Sequence, residues 1–150
     1  VAFIAGLLSE VGAMACVAVD GDAYASMMGE AGLDWDRRTE LEREHYTLTS
    51  WEIGARLLSR NSLPESITHA VGSHYDLPPE SFSPLARVTV FGRVLAPEIL
   101  RLDEGQELNF LKDRFEQLAQ KCHLGDINGS RIVEVCKSAL SAAERTGTTA

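Results

Sequence analysis

Apolar residues recur at intervals of three and four along nearly the whole chain, and this periodicity most limits the folds open to it. Such spacing places the apolar side chains on one face of an α-helix. The clearest run consists of Leu108, Leu111, Phe115 and Leu118. No segment shows the strong alternation of apolar and polar residues that is typical of a strand. The sequence therefore predicts an all-α fold, a compact helical domain of about eight helices on short loops.

Two short motifs predict where neighbouring helices begin. The sequence "TSWE" at 49–52 has the Thr-x-x-Glu form of a capping box, and "SLPE" at 62–65 has the corresponding Ser-x-x-Glu form. In the second motif Pro64 falls in the first turn, where its missing N–H is tolerated. We therefore expect one helix to start at residue 50 and the next at residue 63, directly after Ser62.

A third helix is predicted to start after Asp34, whose carboxylate can accept hydrogen bonds from the first amides of "WDRRTELEREHY". This segment is rich in charge. Its Arg38 and Glu42 are four residues apart, the spacing of ion pairs on the surface of a helix. The pattern predicts a solvated face for this pair.

The apolar opening "VAFIAGLLSEVGAMACVAV" predicts a buried helix over residues 1–18. Glu10 interrupts it and no basic residues precede it, so it fits neither a signal peptide nor a spanning helix. "DGDA" at 20–23 predicts a break, followed by a short helix over 22–30. Because the chain starts in an apolar helix, we expect it to be the C-terminal part of a longer domain.

Composition restricts the partners that the protein can have. The chain has 150 residues, of which 45% are hydrophobic, which predicts a single domain over 1–150. Its formal net charge of −8 argues against nucleic acid or an anionic membrane surface as a partner. The three cysteines, Cys16, Cys122 and Cys136, form no disulfide framework. We expect a reducing, cytoplasmic setting.

Histidines offer no metal site by spacing alone. His69 and His74 are five residues apart, which places them roughly 140° apart around a helix, whereas a chelating pair prefers a spacing of four. His69 is expected to be solvated. His74 shares a predicted face with Ile67 and Val71, and it is either a hydrogen-bonded core residue or a ligand.

Glu10 is the one carboxylate in an apolar setting. It must be paired, protonated or at the mouth of a pocket. The chain has no G-x-S-x-G nucleophile elbow and no glycine-rich phosphate loop. From its residues alone, the sequence therefore predicts no catalytic residue, metal or cofactor.

Several segments of the chain resemble, in the same order, the conserved segments of a known family. "FIAGLLSEVGAMA" resembles the "GLLHDIG" helix of the HD superfamily of metal-dependent phosphohydrolases. "TSWEIGARLLSRNSLPESITHAVGSHYDLPP" is similar to a later run of HDOD (HD-related output) domains, and "LARVTVFGRVLA" to the helix after it. The resemblance covers about residues 2–97, with 98–150 as a less characteristic helical end. Its packing positions are kept at Gly12, Gly54, Leu57, Leu58, Leu63, Pro64, Ile67, Ala70 and Val71.

The resemblance also implies which residues stand at the metal-ligand positions of the superfamily. The first His-Asp pair falls on Ser9 and Glu10, and the next His on Ser50. The later pair of histidines falls on His74 and Tyr75, and the late Asp on Gly92. Metal sites of this kind need several His and carboxylate groups converging on one ion. The six positions therefore predict a vestigial pocket with its metal ligands largely replaced.

The resemblance implies a catalytically inactive HDOD-type signal-transduction module in a bacterial cytoplasm, acting through protein partners or a small regulatory ligand. Two alternatives remain open on the sequence. One is a divergent metal-dependent phosphohydrolase of a nucleotide or phosphodiester, which would need further metal ligands from an N-terminal part of the domain or from a partner chain. The other is a purely structural helical domain with His74 in a dry core.

Overall fold

The computed structural model describes residues 1–32, 34–74, 81–100, 108–125, 128–135 and 138. Within these residues it contains seven bounded helices and no strand. The helices are α1 (Ala2–Leu8), α2 (Val11–Ala31), α3 (Trp35–Tyr46), α4 (Ser50–Arg60), α5 (Glu65–Gly72), α6 (Pro84–Leu100) and α7 (Leu108–Lys121). Residues 129–135 are helical as well. The predicted all-α fold is confirmed.

The apolar opening forms two helices where one was predicted. The Ser9 hydroxyl donates to the Gly6 carbonyl at 2.7 Å, and the chain turns at Ser9 and Glu10 before α2 begins. A serine hydroxyl that bonds the preceding turn competes with the helical hydrogen bonds there. The break predicted at 20–23 is present as a kink at Asp20 (φ −149°, ψ 61°), which divides α2 into two helical segments. The second segment, predicted over 22–30, continues to Ala31.

The prediction that the opening helix is buried is also wrong. The stretch Ala2–Ala31 is long and apolar enough to cross a membrane, judged by length and composition alone. Only 17% of its most apolar window is buried within the fold. Only one side of α1 and α2 packs against the rest of the protein. The large apolar side chains left exposed there are Val1, Phe3, Ile4, Leu7, Met14, Val17 and Val19.

Only one of the two predicted capping boxes forms. Thr49 caps α4 together with Glu52, as predicted. Ser62 instead has a left-handed backbone (φ 58°), and the Leu63 N–H donates to the Leu58 carbonyl at 3.1 Å. This bond pattern ends a helix. Ser62 therefore belongs to the end of α4, and α5 begins after Pro64 without a side-chain cap.

The core lies where α4, α5 and α6 meet. Its buried members include Trp51 of α4, Val71 of α5 and Val90 of α6, and Phe115 and Val133 from later in the chain also join it. The assignment of 98–150 to the same domain stays a prediction.

Helix α2 crosses α4 at two glycines. A Cβ atom built on Gly12 would lie 1.7 Å from the Ser50 carbonyl oxygen, and one built on Gly54 would lie 3.2 Å from the Gly12 nitrogen. Both positions were predicted to be packing positions. Because their backbones touch, the first turn of α2 lies directly against the first turn of α4. This contact brings Glu10 and Ser50 to the same place.

Candidate functional site

A buried ion pair lies between α2, α3 and α4, at the crossing of α2 and α4. The side chain of Glu42 is completely buried, and that of Arg38 is 14% exposed. Arg38 Nε donates to Glu42 Oε1 at 3.0 Å. The prediction of a solvated face for this pair is therefore wrong, because Tyr24 from α2 and Ser50 from α4 cover it.

The Glu42 carboxylate is held by three donors. Oε1 accepts from the Tyr24 hydroxyl at 2.9 Å as well as from Arg38, and Oε2 accepts from the Ser50 N–H at 2.7 Å. Ser50 is the first residue of α4, so the carboxylate also faces the positive end of that helix. Burial and the neighbouring Glu42 raise the pKa of the Tyr24 hydroxyl, which keeps it a donor.

The Arg38 guanidinium is the centre of the cluster. Its Nη2 donates to the Tyr24 hydroxyl oxygen and to Ser50 Oγ, both at 3.0 Å. The same nitrogen lies 3.6 Å from Glu10 Oε2. Burial lowers the pKa of Arg38, but the nearby Tyr24, Glu42 and Glu10 more than offset this and raise it overall.

Two tryptophans flank the cluster. Arg38 Cζ lies 4.6 Å from the centroid of the Trp35 ring, a cation–π contact. Trp35 and Trp51 are both buried, with centroids 6.4 Å apart. The His74 ring stacks on Trp51, with centroids 4.7 Å apart and planes 12° apart. His74 is half-buried, so it lies at the edge of the core rather than inside it.

A second guanidinium approaches the same tryptophan from α6. Arg93 Cζ lies 5.3 Å from the Trp51 centroid. Its Nη1 donates to the Val71 carbonyl at 2.9 Å, and its Nη2 donates to the Ser73 carbonyl. Burial lowers the pKa of Arg93 to about 10, although Glu10 and Glu42 act in the opposite direction. Arg93 thus holds the chain between the end of α5 and His74.

The comparison with known families identifies the domain. A protein-family model for the HDOD domain matches residues 1–77, which is half of the chain. The chain belongs to the HDOD domain family. No curated protein and no solved structure matches it. The suspected resemblance is confirmed over the part that contains α1 to α5, whereas the proposed equivalence of Gly92 lies beyond the matched residues.

Three of the six positions predicted for the vestigial HDOD pocket lie around the buried cluster. Glu10 and Ser50 both face the Arg38 guanidinium, and His74 stacks on the residue that follows Ser50. His74 does not share the helical face of Ile67, because α5 ends at Gly72. His69 is exposed on α5, as predicted.

Ser9 and Gly92 do not join them. The Ser9 hydroxyl is used by the Gly6 carbonyl. Gly92 is exposed on α6, with no heavy atom near the place of a Cβ, and Tyr75 lies outside the described residues. The adjacent Arg93, rather than Gly92, projects into the core.

The donors at this place do not fit a metal ion. Two side chains at the centre of the cluster carry oxygens that could serve as metal ligands. Ser50 Oγ accepts a hydrogen bond from Arg38, and Glu10 Oε2 lies 3.6 Å from the same guanidinium. Two arginines and two glutamates balance one another, so no net negative charge remains to attract a divalent cation. Among the residues that the structure describes, no three His, Cys, Asp or Glu side chains form a group suited to an ion.

Sequence reasoning missed Tyr24, Arg38, Glu42 and Arg93 as members of the site. The spacing of Arg38 and Glu42 was noticed, but a spacing of four is the same on a buried and on an exposed face. One signal was available: Tyr24 is the one aromatic residue of α2, and a buried tyrosine hydroxyl usually has a partner.

Proposed function

We propose that this HDOD domain is a regulatory module without catalytic metal, which acts by binding in a bacterial signalling pathway. Its partners would be proteins, with a small regulatory ligand as a further possibility, and its setting would be the cytoplasm. The site for such binding would be the edge of the cluster where Glu10 and His74 reach the surface.

One observation carries this proposal: a guanidinium lies where a metal-dependent enzyme needs ligands. Arg38 contacts both Glu10 and Ser50, two of the positions that the resemblance assigns to metal ligands of the HD superfamily. Phosphoester hydrolysis at a metal site requires several converging ligands and an open position for water. Because the Arg38 guanidinium already occupies this place, neither the converging ligands nor the open position for water is available there.

The binding role is supported by what remains accessible. Glu10 is half-exposed at the start of α2, and His74 is half-buried against Trp51. The His74 Nε2 atom itself is buried, so the accessible polar group at this rim is the Glu10 carboxylate, which can hydrogen-bond a partner without any chemistry. The net charge of −8 disfavours nucleic acid as that partner.

Metal analysis of the purified protein tests the proposal. We expect less than about 0.1 equivalents of iron, manganese or zinc, and no hydrolysis of a generic aryl phosphodiester with these metals added, because the donor set is incomplete. His74→Ala is compared with His69→Ala, an exposed histidine on the preceding helix. Near-stoichiometric metal that is lost in His74→Ala but kept in His69→Ala, or hydrolysis with the same dependence, would favour the divergent phosphohydrolase instead.

A further inference from the structure

We propose that the cluster at the crossing of α2 and α4 is a guanidinium site, and that Arg38 is its resident cation. In this role the side chain of Arg38 does what a bound ion does in a metal site. It contacts two carboxylates and joins the helices next to which they lie. The inference rests on the proposed function to the extent that both place no metal there.

The acceptors around Arg38 fit the fork of a guanidinium. Nε has its own acceptor in Glu42 Oε1, while Nη2 is shared between the Tyr24 hydroxyl and Ser50 Oγ. All three distances are 3.0 Å, the ordinary length of an N–H···O hydrogen bond. A hard metal ion would need the same oxygens at roughly 2.0–2.6 Å.

The face of the guanidinium has a partner too. Trp35 places its ring 4.6 Å from Arg38 Cζ. A planar, delocalised and weakly hydrated cation gains from such a surface, and a guanidinium stacks there more readily than an ammonium. An aromatic face offers a divalent ion no lone pair. Acceptors around the edge together with an aromatic face therefore select a guanidinium over a metal ion or a lysine.

The connections of Arg38 give this cation a positioning role. Glu10 directly precedes α2 and Tyr24 lies within it. Glu42 belongs to α3, and Ser50 begins α4. One side chain thus ties together three helices at the point where the candidate site lies. Its loss would leave Glu42 buried with its charge uncompensated.

Chemical rescue tests the inference. Arg38→Ala removes the cation and leaves room for a free guanidinium ion. We expect about 10 mM guanidinium chloride, far below denaturing concentrations, to raise the melting temperature of Arg38→Ala by about 3 °C, as for a ligand near ten times its Kd. Equal concentrations of urea, which is neutral but similar in shape, and of manganese chloride should not do so. Melting is followed by circular dichroism at 222 nm.

The same additions to wild type and to Arg38→Met are the matched controls. In both the space is filled, so guanidinium should leave their melting temperatures unchanged. If Arg38→Ala is unfolded without additive, the readout is recovery of helical signal on adding guanidinium. No gain in either form, or an equal gain with urea or manganese, would overturn the inference.

Arg38→Lys provides a second measurement in a protein that keeps the charge. A lysine lacks the fork and the planar face, so we expect a melting temperature below that of wild type and no rescue. A melting temperature equal to that of wild type would show that any cation suffices and would refute the guanidinium site. Metal bound to wild type would contradict the proposed function, whereas failed rescue in a metal-free protein would contradict this inference alone.

Discussion

Two ion pairs on helix α3 differ in burial although they are alike in sequence. Arg37 and Glu40 are three residues apart on the exposed side, and Arg38 and Glu42 are four apart on the buried side. Solvent weakens an exposed pair to almost nothing, whereas removing one member of a buried pair leaves a charge without its counter-ion. The second pair therefore matters far more to the fold than the first.

We expect Glu42→Gln to lower the free energy of unfolding by about 3–5 kcal/mol, because Arg38 would lose its buried counter-ion. Glutamine keeps the size of the side chain, so the loss reports charge and hydrogen bonding rather than a cavity. Urea denaturation of both proteins measures it. Glu40→Gln, on the exposed side of the same helix, should leave stability almost unchanged. Equal effects of the two substitutions would show that Glu42 is not buried in the folded protein.

The capping residue Glu52 predicts an acid-dependent loss of stability. Burial raises the pKa of its carboxyl. However, the Thr49 N–H and hydroxyl donate to Oε2 at 2.8 and 2.9 Å and Arg43 lies 3.0 Å from Oε1, so the pKa is lowered overall. Because the unfolded chain binds this proton more tightly, Glu52 stabilises the fold above its usual pKa of about 4.3 and ceases to do so as pH falls through the lowered value.

The test compares wild type with Glu52→Gln, which keeps the capping hydrogen bonds but cannot titrate. We expect wild type to be the more stable at pH 7 and the difference in unfolding free energy to shrink as pH falls from about 5 to 3. A difference that stays constant over this range would show that the carboxyl is not stabilised in its ionised form.

At the residue scale, the sequence predicted the site in part. The family pattern led to Glu10, Ser50 and His74, because such patterns record positions along the chain. It could not lead to Arg38, because nothing in the spacing of a pair on one helix says which other helix will cover it. Arg93 was missed for a related reason. The family pattern pointed to its neighbour Gly92, where an Asp was expected, whereas in the structure the Arg93 side chain is the one directed into the core.

The contact between α2 and α4 depends on glycine at one position. A methyl group on Gly12 would collide with backbone atoms of Ser50 and Gly54, which cannot move without shifting α4. We expect Gly12→Ala to lower the free energy of unfolding by about 3 kcal/mol or more, measured by urea denaturation. It should also disturb the Arg38 cluster, because the first turns of both helices contribute to that cluster.

Gly29 is the control on the same helix, since a Cβ there meets nothing within 4 Å. Gly29→Ala should stabilise the protein by about 0.5–1 kcal/mol, because alanine restricts the unfolded chain and favours a helix. If both substitutions destabilised to the same extent, the effect would come from the helix backbone rather than from the crossing of α2 and α4.

At the scale of helices, the sequence predicted the type of nearly every described element and several boundaries. Asp34 and Thr49 cap their helices as expected. Ser62 does not, although "SLPE" matches the motif as well as "TSWE" does, because the chain leaving α4 already uses Ser62 in a left-handed turn. The same residue can serve either the end of one helix or the start of the next. The capping-box motif describes only the start of a helix, so it does not predict which use prevails.

For the whole molecule, the main departure from expectation is the distribution of apolar surface. The sequence predicted that an apolar helix would be buried, since hydrophobic residues usually are. In the structure, α1 and α2 pack on one side only, and Phe3 remains 80% exposed. Apolar surface of this extent is uncommon on a soluble domain. It coexists with a net charge of −8, which favours solubility.

This exposed surface predicts that the folded protein binds hydrophobic dyes. We expect 8-anilinonaphthalene-1-sulfonate to fluoresce strongly with the native protein and much less with the double variant Phe3→Ser, Leu7→Ser. The unfolding free energy of that variant should change by less than about 1 kcal/mol, because both side chains are largely exposed. Ala5→Ser, on the buried side of the same helix, should leave the fluorescence high. Low fluorescence from wild type, or a large loss of stability in the double variant, would show that α1 is covered in solution.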